Sequence, residues 1–183
     1  MLDVGTGTAP SQLAGLSYRS ARTGLTMHGE HVRVDADDVQ QFMEVCERAL
    51  WAGGAVLRAR LGKAAVSEKG TADLVTEADY RSQAAVFAVL HSAFPDHDVV
   101  GEESASGVDA GEYAGDRPLG RQSGSEFRWI VDPLDGTTNF VHQVPFFSVA
   151  LALEHRGTLV AAGVYDPIAD ECFLAGRGRG AFL

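Results

Sequence analysis

From Asp37 to Leu61 apolar positions return every three or four residues, at Val39, Phe42, Met43, Cys46, Leu50, Gly53, Val56, Leu57 and Leu61. That is the period of one helix face, and the stripe reads as core packing. Asp37, with Gln40 three residues on, supplies a start signal and Gly62 a stop. Lys63 to Val75 then reads as a short hairpin turning at Glu68-Lys69-Gly70-Thr71. A second helix opens on Thr76-Glu77-Ala78-Asp79 and shows Ala85, Val86, Val89, Leu90 and Ala93 to the core before it breaks at Pro95. A short strand follows around Asp98-Val99-Val100. The Gly- and Ser-rich stretch from Ala105 to Phe127 exceeds the ~12–15 residues usual for a structureless loop, and reads as a flexible lid or a disordered insert.

Arg128-Trp129-Ile130-Val131 is strand-like, and Asp132 to Phe140 is rich in turn formers. Phe147 to Leu153 pairs through the Glu154–Gly157 turn with Thr158 to Tyr165, and Cys172 to Ala175 returns after Asp166-Pro167. Strands that follow one another without intervening helices give an antiparallel sheet, so the class is α+β, two helices packed on a largely antiparallel sheet. The chain ends on Phe182-Leu183 just after a strand, which suggests an interrupted core with an unpaired sheet edge. Residues 1–36 have no sustained period and read as a flexible tail, with 37–183 as the folded domain. An organelle transit peptide is the weaker alternative for the tail: Arg19, Arg22 and Arg33 favour it and Asp3 opposes it. His28 and His31 have a metal-compatible spacing, but two solvated histidines on a tail is the simpler reading.

The 183 residues suit one domain plus an appendage. Fifteen Lys and Arg against twenty-five Asp and Glu leave a net charge of −10. Such a field repels phosphate backbones and anionic membranes, so neither nucleic acid nor membrane is expected as a partner. An acidic chain that handles a phosphorylated substrate needs bound cations to reverse the local sign. Cys46 and Cys172 lack any C-x-x-C spacing and read as buried thiols of a reducing compartment. With no secretory signal and no membrane-length apolar run, the expected location is cytoplasmic.

The chemistry concentrates in acidic residues at strand ends and turns. Glu102 beside Glu103, then Asp132 and Asp135, and Asp79 at the second helix start are each unremarkable alone, as caps or solvated edges. If they converge, two such charges about 4 Å apart repel by roughly 4 kcal/mol at an effective dielectric near 20, and a cation must compensate. Oxygen-only ligands suit hard divalent ions, and few carboxylates completed by substrate phosphate suit Mg2+. Pro133 restricts Asp132 to an extended conformation while the chain turns, Leu134 offers a carbonyl, and Asp135 returns a second carboxylate. Gly136 permits a conformation other residues resist, and the amides of Gly136, Thr137 and Thr138, at a helix start, can face a phosphate. An EF-hand loop does not fit, because Leu134 and Gly136 stand where its second and third ligands belong. No nucleotide-type glycine loop is present, and the Gly176, Gly178, Gly180 series is not one.

Three segments carry a resemblance: Asp73-Leu74-Val75-Thr76-Glu77-Ala78-Asp79, Gly101-Glu102-Glu103-Ser104, and the long run from Trp129 through Asp132-Pro133-Leu134-Asp135-Gly136-Thr137-Thr138-Asn139-Phe140 to His142. From about Asp37 to Leu183 the chain resembles the inositol monophosphatase family of magnesium-dependent sugar phosphatases. Relatives acting on fructose bisphosphate, adenosine 3′,5′-bisphosphate or histidinol phosphate share the central motif, but Thr138-Asn139-Phe140 is more like the inositol phosphatases. The resemblance implies the N-terminal α/β layer of an αβαβα sandwich, with the family's C-terminal domain and its W-D motif absent from these residues.

It further implies that Glu102 and Asp132 hold one Mg2+ with the Leu134 carbonyl, that Asp132 bridges to a second held by Asp135, and that Glu103 supports them. Thr137, hydrogen-bonded to Asp79, would orient and deprotonate the attacking water. Lys69 lies near the family's mobile hairpin cation. The implied reaction is phosphomonoester hydrolysis of inositol monophosphate or a similar polyol phosphate, in a homodimer as family members commonly form. The alternatives are a nucleotide 3′-phosphate or fructose 1,6-bisphosphate as substrate, or a truncated, non-catalytic metal-binding domain.

Overall fold

Asp35, two residues ahead of the expected cap, starts the first helix. The computed structural model describes residues 33–63, 66–70, 73–102 and 124–183, with backbone only for 66–70 and 73–75. Helix α1 spans Ala36–Arg60; the Asp35 carboxylate accepts from the Asp37 and Asp38 amides, and Asp38 accepts from the Asp35 amide. This earlier start places Asp37 and Asp38 in the first turn, against the positive end of the helix dipole, and lets Val34 pack on the core. Residues 1–32, with the tail, transit-peptide and His28/His31 readings, lie outside the described residues.

The hairpin is β1 (Val66–Gly70) against β2 (Asp73–Thr76). Glu68, Lys69 and Gly70, expected in the turn, belong to β1: Glu68 pairs with Leu74 and Gly70 with Asp73. Residues 71–72 lie outside the described residues. Helix α2 (Glu77–Ala93) begins as its sequence predicts: the Thr76 hydroxyl accepts from the Ala78 amide, and Asp79 accepts from the Thr76 amide at 2.8 Å.

A six-stranded sheet follows in the order β3 (Asp98–Gly101), β4 (Phe127–Asp135), β5 (Ser148–His155), β6 (Thr158–Asp166), β7 (Glu171–Gly176) and β8 (Gly180–Phe182). From β4 onward each strand is antiparallel to the next, as expected. The exception is β3, which lies parallel to β4 with Val99 opposite Trp129. Parallel neighbours need a long crossover, and the connection 102–126 has that length. Its residues 103–123, on which most of the expected lid falls, lie outside the described residues. The edge after β7 is paired by β8, a strand the sequence reading did not contain.

Helices α1 and α2 pack on each other and on one face of this sheet, α1 over β5 to β7 and α2 over β4. Between them lie Phe42, Leu50, Leu57, Val86, Leu90, Trp129, Val149 and Leu153, and the architecture is α+β. Cys46 is buried and Cys172 half-buried, both as free thiols whose ionisation burial opposes. No helix among the described residues is long and apolar enough to cross a membrane.

His97 carries a titratable liability of this core. Its ring is sandwiched between Phe94 and Phe127, each at 4.5 Å, and its Nδ1 accepts from the buried Trp129 indole at 3.2 Å. Burial lowers its pKa from 6.5 to about 4, against the opposing charges of Asp96 and Asp98. The folded protein therefore holds fewer protons than the unfolded chain between these values. Stability that is full above pH 6.5 is lost as pH falls through that window, by roughly 3 kcal/mol at most. Thermal unfolding followed by circular dichroism from pH 7.5 to 4.5 should show a steeper acid loss in the wild type than in His97→Gln; parallel profiles would dismiss this account.

Candidate functional site

Strand β4 does not stop at Val131, as its sequence suggests, but continues through Pro133 to Asp135. Asp132 faces Ala150 and Asp135 faces Ser148, so Pro133 and Leu134 together oppose Val149 alone. That is a β-bulge, and proline tolerates it because it has no amide to leave unpaired. The bulge also decides the chemistry. In an unbroken strand, residues three apart point to opposite faces; one extra residue resets the alternation and brings the Asp132 and Asp135 positions to the same face.

The bulge is bonded on every side. The Leu134 amide donates to Asp132 Oδ1 at 3.1 Å, and the buried Ser82 hydroxyl of α2 donates to the Pro133 carbonyl at 2.8 Å. Gly136 then turns the chain at φ 91°, where a Cβ would lie 3.2 Å from the Phe146 carbonyl oxygen, and the short helix α3 (Thr137–Val141) begins. No side chain caps α3. The Thr137 hydroxyl lies 3.1 Å from the Leu134 carbonyl oxygen and 3.2 Å from Asp79 Oδ1. Asp79 is buried at the first turn of α2, with its other oxygen accepting from both the amide and the hydroxyl of Thr76. Arg60 at the end of α1 pairs with Glu77 at 3.4 Å, which ties this helix start to its neighbour, and Arg81 of α2 pairs with the same carboxylate.

Glu102 follows β3, and its amide extends the parallel pairing by donating to the Val131 carbonyl at 3.0 Å. Burial first, then the Glu102 charge, pushes the Asp132 carboxyl up to about 6; Asp135 adds to this and the Leu134 amide opposes it. Asp79 is likewise raised by burial, against the bonds from Thr76 and Thr137.

The predicted acids are thus partly gathered. Glu102, Asp132 and Asp135 crowd one strand end, whereas Asp79 reaches the same turn through Thr137. Among the described residues no group of three or more His, Cys, Asp or Glu side chains is placed so that it could hold a metal ion. The donors fit a hard divalent ion that takes one or two carboxylates and draws its other oxygens from a carbonyl, water or phosphate. Glu103 and the Lys69 side chain lie outside the described residues. Sequence reasoning missed Ser82 and Gln83. Their signal was polar residues at i+3 and i+4 from Asp79, on a helix face otherwise apolar.

Fold and site together define an α+β domain whose sheet carries Asp132 and Asp135 on one face of a bulged strand end. The chain belongs to the inositol monophosphatase family, whose model matches residues 38–183. It is 41% identical over 148 residues to the Nus factor SuhB of Pseudomonas aeruginosa, covering 79% of this chain and 51% of that protein. It is 39% identical over 146 residues to inositol monophosphatase 2 of Solanum lycopersicum, covering 79% and 52%. Among solved structures, the suhB protein of Bartonella henselae superimposes with a TM-score of 0.65 at 40% identity, covering 78% of this chain and 51% of that one. An IMPase/NADP phosphatase complexed with Mg2+ and phosphate gives a TM-score of 0.63 at 27% identity, covering 79% and 51%. The chain spans about half the length of the curated relatives it matches.

The crowding has a cost in stability. Because the folded pKa of Asp132 lies above its ordinary 3.8, its ionised form opposes folding at neutral pH, and this penalty fades as pH falls below about 6. With divalent ions removed by chelator at pH 7.5, Asp132→Asn, which keeps an acceptor for the Leu134 amide, should raise the unfolding free energy by about 1 kcal/mol after solvent screening. A lower denaturation midpoint in the variant contradicts the crowding.

Proposed function

We propose that the protein is a Mg2+-dependent phosphomonoesterase acting on inositol monophosphate or a similar polyol phosphate. The observation that carries this reading is the bulge that sets Asp132 and Asp135 on one face, with the Thr137–Asp79 pair beside it. Glu102, Asp132 and the Leu134 carbonyl would hold one ion, and Asp132 with Asp135 a second. Bound there, Mg2+ supplies the positive charge that acidifies water and screens phosphate.

The protein's own groups do the rest. Thr137 has one hydroxyl hydrogen and two acceptors in reach. An ionised Asp79 is the stronger acceptor, which leaves the Leu134 carbonyl to a cation and the Thr137 lone pairs to the attacking water. Burial that raises the Asp79 pKa makes its carboxylate a better destination for the proton arriving through Thr137. The amides of Gly136, Thr137 and Thr138, at the uncapped start of α3, suit the phosphate oxygens.

Phosphate release from inositol 1-phosphate should require Mg2+, vanish in Asp132→Asn, and fall by on the order of 100-fold or more in kcat in Asp79→Asn. Full turnover by Asp132→Asn refutes the proposal. Faster hydrolysis of fructose 1,6-bisphosphate or adenosine 3′,5′-bisphosphate in parallel assays reassigns the substrate, and Mg2+ binding without turnover of any of them leaves a non-catalytic domain.

A further inference from the structure

Helix α2 turns three buried polar side chains, Asp79, Ser82 and Gln83, toward the site. Their i, i+3, i+4 spacing puts them on one face. Each meets a different segment of the acidic cluster. Asp79 meets Thr137 at the start of α3, and Ser82 bonds the Pro133 carbonyl inside the bulge. The Gln83 amide fills the space beside Gly101, where a Cβ would come within 2.0 Å of its Oε1, immediately before Glu102.

Of the three, Ser82 acts on the feature that sets the ligand geometry. It is fully buried, and α1 closes over it so tightly that a Cβ on Gly53 would lie 2.9 Å from its Oγ. A hydroxyl in such a place is costly unless bonded, and the Pro133 carbonyl is the bond it makes. That carbonyl belongs to the pair of residues with only one partner across the ladder, the part of a strand least held by its neighbour.

We propose that Ser82 is a positioning residue for the divalent-cation site: its hydroxyl pins the bulge that keeps Asp132 and Asp135 on the same face. This rests on the metal-dependent reading above. Without the hydroxyl, the bulge relaxes toward regular alternation, in which the two carboxylates diverge. The loss appears as weaker ion binding, on the order of tenfold, as for other groups that orient metal ligands without touching the ion.

The test is titration of the full chain with Mn2+ as a paramagnetic probe, reading free ion by electron paramagnetic resonance, for wild type, Ser82→Ala and Val86→Ala. Val86 is equally buried on the same helix but bonds nothing in the bulge. Ser82→Ala should bind Mn2+ about tenfold more weakly. Val86→Ala should keep wild-type affinity while losing at least as much thermal stability without metal, a separation that a merely structural role for Ser82 does not give. Wild-type affinity in Ser82→Ala overturns the inference, and so does an equal loss in Val86→Ala. A wild type that binds no Mn2+ overturns the metal-dependent reading itself, and this inference with it.

Discussion

One extra residue in β4 governs the arrangement of the whole site. Two aspartates separated by proline and leucine belong on opposite sides of a regular strand, where each would be an ordinary polar position. With Pro133 and Leu134 sharing a single partner, they face the same way, and Glu102 arrives beside them along the parallel neighbour. Like charges then sit closer than water would leave them. The Asp132 carboxyl is raised first by its burial and then by the neighbouring Glu102 charge.

Such an arrangement persists only where the surroundings over-determine it. Here the surroundings are helix α2, whose inner face alternates between greasy contacts and polar ones. Val86 and Leu90 bury it against the core, while Asp79, Ser82 and Gln83 bond or fill the irregular backbone opposite. A fully apolar face would pack more simply, but it would leave the Pro133 carbonyl and the Thr137 hydroxyl without these partners.

The sequence made much of this visible. The period of α1 and the capping pattern of α2 read directly, because each is local. The acidic motif also read directly, since Asp-Pro-Leu-Asp-Gly-Thr carries its turn chemistry in its own residue types. What did not read was long-range. The parallel seating of β3 depends on a crossover whose path no local pattern encodes, and the bulge depends on which residue of β5 each residue of β4 chooses. Ser82 and Gln83 passed as ordinary helix residues because their partners lie on other segments, fifty-one positions away for Ser82. The cap of α1 lies two residues earlier than its pattern predicts because Asp35, Asp37 and Asp38 are all competent caps, and the Asp35–Asp38 capping box together with the packing of Val34 favours the first.

The parallel union of β3 and β4 also bears on how the site comes together. Strands β5 to β8 are joined by short reversals and β4 reaches β5 through α3, whereas β3 meets β4 only across the connection 102–126. Glu102 travels with β3, on the same side of that connection as Asp79 and Ser82. The hydroxyl that holds the bulge and the acid that adds charge beside it are therefore carried to the meander by one and the same stretch of chain.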